Sequence, residues 1–153
     1  MLPPAKVFPA AMSVIAPAIC RTERIKLIER LAEARVKRDY AGFEACFTED
    51  ASFWILGRAA FIPFSGRRRG KGSLTDALKL MDSTLVYLDF KYDEAIVDGA
   101  HAAVRWFAWV RNLGTGSKVR MKGFAHLRFD GALICEFTYF HDTQTTAALI
   151  GHE

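Results

Sequence analysis

Cysteine is scarce in this chain: Cys20, Cys46 and Cys135 are the three in 153 residues, and no C-x-x-C spacing joins them. That excludes a disulfide framework and a cysteine-built zinc site, and leaves reduced, buried thiols as the expectation. The histidines have no metal-ligand spacing either, so no metal and no cofactor is expected. Long apolar runs are missing, since none reaches the ~18 residues of a spanning helix, and no membrane partner is expected. Proline is concentrated at the start, at positions 3, 4, 9 and 17, where it breaks the apolar stretch MLPPAKVFPAAMSVIAPAIC. Such a stretch cannot form a continuous signal-peptide core, and Ile19 before Cys20 does not suit a lipoprotein cleavage site. Residues 1–20 are therefore read as a flexible arm, residues 21–153 as one domain, and the setting as cytoplasmic. A large charge excess is absent too: a net charge of +4 bears on solubility and weak association rather than on fold.

What the chain has is aromatic and β-branched residues in patterned runs. Twelve Phe and three Trp supply an aromatic core. The organising stretch is residues 118–142, two runs joined at Asp130-Gly131, a hairpin signal. Three further strands are expected: Ala51–Leu56, Val86–Val97 and Ala102–Asn112. Helices are expected from Thr22, with an apolar stripe of Ile25, Ile28, Leu31, Ala32 and Val36, from Asp39, and from Ser73. Helices early and antiparallel strands late predict an α+β fold with the helices gathered on one face of the sheet. The segment Arg58–Lys71 reads as a long entrance loop, and its run Arg67-Arg68-Arg69 as a solvated one. No nucleic-acid recognition motif accompanies that run, so nucleic acid is not an expected partner.

Three strings, RDYAGFEACFTEDASFWILGR, FSGRRRGKGSL and DGALICEFTYFHDTQTTAALIG, occur in the order found in SnoaL-like proteins. The last contains I-x-E-x-x-x-F-x-D, from Ile134 through Glu136 and Phe140 to Asp142. From Arg21 to Gly151 the chain resembles this branch of the nuclear-transport-factor-two-like superfamily, which includes ketosteroid isomerases and polyketide cyclases. The resemblance implies a curved antiparallel sheet wrapped on helices around a cone-shaped pocket, a cystatin-like α+β barrel, in a homodimer built sheet to sheet. It implies no single activity. The positions matching the isomerase tyrosine, base and oxyanion-hole aspartate hold Leu31, Ile55 and Ala125, which can neither move a proton nor donate to an oxyanion.

On that alignment and strict alternation, Phe53, Ile55, Trp106, Met121, Ala125, Glu136, Thr138 and Phe140 face the pocket, with Trp54 and Arg58 at its rim. A pocket so lined suits a small hydrophobic or cyclic ligand. Glu136 is the candidate catalytic residue, because a carboxyl among apolar groups has its pKa raised toward neutrality. Asp142 is expected to cap a C-terminal helix. Two readings stand side by side: an acid–base enzyme (isomerase, cyclase, dehydratase or hydrolase), and a non-catalytic ligand-binding or assembly module on the same scaffold.

Overall fold

A computed structural model describes residues 18–151. The expected flexible arm lies outside the described residues up to position 17, and its last three residues begin the first helix. In chain order the elements are α1 (Ala18–Lys37), α2 (Tyr40–Glu44), β1 (Phe47–Ile55), β2 (Gly66–Arg69), α3 (Lys71–Thr84), β3 (Leu85–Asp98), β4 (His101–Asn112), β5 (Lys118–Asp130), β6 (Leu133–His141) and α4 (Thr143–Leu149). The strands form one curved, open sheet in the order β2-β1-β6-β5-β4-β3. Every pairing is antiparallel except β1 with β6, which is parallel.

Helices α1 and α3 lie across the concave face. The buried stripe of α1 is Leu27, Ile28, Leu31, Ala34 and Arg35, while Val36 is 49% exposed. The helix is thus turned by about one residue from the expected stripe, because Arg35 has a buried partner to reach. Helix α3 buries Leu74, Leu78 and Met81, as its spacing predicts, together with Asp82. Its N-cap is Gly70 rather than Ser73. The Ser73 hydroxyl instead donates to the Arg69 and Gly70 carbonyls, each at 2.8 Å. Asp39 caps α2 by accepting from Gly42 N at 2.9 Å, and Asp142 caps α4 by accepting from Thr145 N at 2.9 Å.

Two departures from the expected strands matter for the site. Part of the expected loop is strand β2, which pairs Arg67 with Trp54 and Arg68 with Phe53. The β5–β6 register also shifts between Arg128 and Phe129: Arg128 pairs with Glu136, yet Phe129 pairs with Ile134, which leaves Cys135 as an extra residue. A one-residue bulge reverses the facing of every later side chain. Ile134, Phe137 and Tyr139 are therefore buried, and Glu136, Thr138 and Phe140 face outward.

Candidate ligand cavity

Aromatic rings fill the concave face. Trp106 is fully buried and stacks on Tyr139 at 5.0 Å between centroids with 9° between planes, and on Phe90 at 5.6 Å. Its indole lies flat because its partner across the ladder is Gly123. A Cβ there would come within 2.5 Å of the Trp106 ring and 2.1 Å of the Phe140 carbonyl oxygen. Phe47, Phe53 and Phe137 form a second ring cluster, with centroids 5.0 to 6.5 Å apart.

Between these rings and the helices lies a cavity of about 30 Å³, lined by Arg35, Phe43, Ile55, Leu74, Leu78, Met81, Phe90, Tyr92, Phe137 and Tyr139. A space of that size holds a water or two. Three of these residues carry polar groups, the Arg35 guanidinium and the Tyr92 and Tyr139 phenols. Arg35 is presented from behind by Asp82, with contacts of 2.8 and 3.2 Å, and Tyr40 donates to the same carboxylate at 2.8 Å. The guanidinium also lies over the Tyr87 ring at 4.7 Å. Both partners of this ion pair are buried, so removal of either leaves the other without its compensating charge.

Burial pushes the Tyr92 phenol well above its ordinary value. It does the same to Tyr139, with the Tyr87 phenol beside it adding to the effect. Both phenols stay protonated near neutrality and can donate. Trp106 Nε1 is buried with no hydrogen-bond partner among the described residues. Buried polar atoms usually have one.

Of the residues expected at the site, Phe53, Ile55, Trp106, Met121 and Ala125 are buried on the concave side, and Ile55 lines the cavity. The others lie elsewhere. Glu136 is about half exposed and paired with Arg128 at 2.5 Å. The hydrogen bond from Arg128, more than any other influence, lowers its carboxyl pKa, opposite to the expected rise. Thr138 stands opposite His126 on the outer face, and Phe140 is 40% exposed. Trp54 also faces outward, covered by the Arg67 guanidinium 4.0 Å from its ring. Arg58 is exposed on the loop over Phe61. His141 is held at both nitrogens, by the Leu56 carbonyl at 2.6 Å and the Thr146 hydroxyl at 2.8 Å. Burial lowers its pKa, against the opposing pull of the Leu56 carbonyl.

Sequence reasoning missed Arg35, Asp82, Tyr92 and Tyr139. Asp82 gave a usable signal, being an acid one residue after Met81 on an apolar helix face.

The match to known proteins agrees with this architecture: the SnoaL-like domain aligns with residues 28–137. The chain belongs to the SnoaL-like family. No curated protein matches it. Among solved structures, this SnoaL-like chain superposes on an NTF2-like protein of unknown function from Burkholderia pseudomallei with a TM-score of 0.78 at 19% identity, covering 84% of this chain and 98% of that one. It is also similar to TerC co-crystallised with polyporic acid, with a TM-score of 0.75, 15% identity, and 84% and 98% of the two chains covered. A third similar structure, from Catenulispora acidiphila, has a ketosteroid isomerase-like fold and holds trimethylamine; its TM-score is 0.69 at 13% identity, covering 83% and 93%. At these identities the likeness bears on the fold.

Proposed function

We propose that this SnoaL-like domain binds a small ring-bearing molecule in the concave cavity, without acid–base chemistry of its own. The observation that carries this reading is the lining: aliphatic and aromatic side chains, with Arg35, Tyr92 and Tyr139 the residues among them that carry polar groups. No carboxylate or imidazole is among them. Donors in an apolar pocket select a ligand by its acceptor oxygens, such as a carbonyl or enolate, and hold it in one orientation. A proton-abstracting enzyme would need a base within reach of its substrate, and the Asp82 carboxylate is already engaged by Arg35 and Tyr40. A ring needs more room than two waters, so the ligand enters by displacing Phe90 and Tyr92. Both sit where β3 is irregular, with register shifts on either side of Lys91–Tyr92 and Asp89 at φ 52°.

The test is native mass spectrometry of the protein purified from its own host, beside the Tyr139→Phe and Arg35→Gln variants. One small molecule per chain, depleted in the variants, supports the reading. A molecule retained equally by all three contradicts it, as does an empty wild type that no ring ketone shifts in titration.

A second reading concerns the outer face, where Trp54, Trp109, Phe124 and Phe140 are each at least 36% exposed. Apolar residues gathered on one face mark an interaction surface, and we propose a second copy of this chain as its occupant, sheet to sheet. Sedimentation of wild type against Phe124→Asp tests it: a dimer that the substitution dissociates is expected, and a wild-type monomer contradicts it.

A further inference from the structure

Along the chain 25 residues separate His101 from His126, but strand pairing brings them together. Ala103 pairs with His126 and His101 with Arg128, so the two imidazoles are diagonal neighbours on the outer face of adjacent strands β4 and β5. His101 Nδ1 lies 3.3 Å from His126 Nε2, and the ring centroids are 5.3 Å apart. Two metal–imidazole bonds of about 2.0–2.1 Å meeting at about 90° to 110° place their nitrogens about 2.8–3.4 Å apart. The observed separation falls within that bite.

We propose that His101 and His126 form a two-imidazole chelate for a borderline divalent cation of the Zn²⁺, Cu²⁺ or Ni²⁺ class. Neutral imidazoles suit these ions better than the hard cations Mg²⁺ and Ca²⁺. Chelation requires each ring to carry its proton on the far nitrogen and to offer the near lone pair, so the metal replaces the hydrogen bond between the two near nitrogens. The ladder between β4 and β5 fixes both backbones beforehand, so little order must be created on binding. Glu136 lies within electrostatic reach of both rings, although Arg128 holds its carboxylate. Among the described residues no set of three His, Cys, Asp or Glu converges on one point. Two protein ligands leave coordination positions for water or for a donor from outside the chain, unlike a closed structural site. The proposal is independent of the cavity, which lies on the other face of the sheet.

The experiment is a Zn²⁺ titration of the untagged full chain, followed by calorimetry and by the histidine ring resonances. One Zn²⁺ per chain is expected, with shifts at His101 and His126 and none at His141. His101→Ala and His126→Ala each remove the chelate, and the affinity falls by about tenfold or more. His101 is exposed and His126 partly so, and circular dichroism verifies that both variants fold. Absence of Zn²⁺ binding, unchanged affinity in both variants, or shifts confined to other histidines would overturn the proposal.

Discussion

The two faces of the sheet use the same kinds of residue and give them opposite circumstances. On the concave face Trp106, Tyr139, Phe90 and Phe137 stack on one another under two helices. On the outer face Trp54, Phe107 and Trp109 are covered by Arg67, Arg120 and Lys118, with cation-to-ring distances of 4.0 to 5.6 Å. Aromatic content therefore does not distinguish core from surface; the neighbours do. Ions follow the same division. Arg35–Asp82 is buried and each partner depends on the other, whereas Arg128–Glu136 is wet and little depends on it.

Substitutions can break this contrast. Asp82→Ala leaves a buried guanidinium unpaired and should cost about 3–5 kcal/mol in urea unfolding. A loss under 1 kcal/mol would mean that Arg35 reaches water. Next, Gly123→Ala drives a methyl into the Trp106 ring and the Phe140 carbonyl, and about 1–3 kcal/mol is expected. Unchanged stability there would show that the concave stack is loose.

Acid sharpens the contrast further. His141 has a folded pKa below its unfolded value, so the unfolded chain binds the proton more readily. Its contribution is present above about pH 6.5 and is lost as pH falls through that value toward the lower folded pKa. Thermal melts from pH 7.5 to 5 should show the loss, reduced in His141→Asn; parallel curves for the two proteins would contradict it. The smallest effect is expected at the outer ion pair. Glu136→Gln should change stability by less than about 1 kcal/mol and leave cavity binding intact.

Much of the scaffold could be read from the chain because hydrophobic period and turn chemistry determine it locally. Asp130-Gly131 did mark a hairpin, Asp39 and Asp142 did cap helices, and Leu74, Leu78 and Met81 did share a face. The site was harder to see, for three physical reasons. The extra residue Cys135 carries no turn signature, yet it exchanges the two faces of β6 and moves Glu136 out as Phe137 and Tyr139 move in. A hint was present, since Phe137 and Tyr139 make the more apolar side. Arg35 is a cation in the last turn of α1, as Lys37 is, and only Asp82, 47 residues away, gives it a reason to be buried. The pairing of His101 with His126 depends on register, which no spacing along the chain reveals.

The measurement that most directly tests the account is a backbone and side-chain NMR titration with a ring ketone such as 1-tetralone. The account predicts shifts at Arg35, Phe90, Tyr92 and Tyr139 with Phe124, Thr138 and Glu136 unmoved. Shifts confined to those outer residues would contradict it.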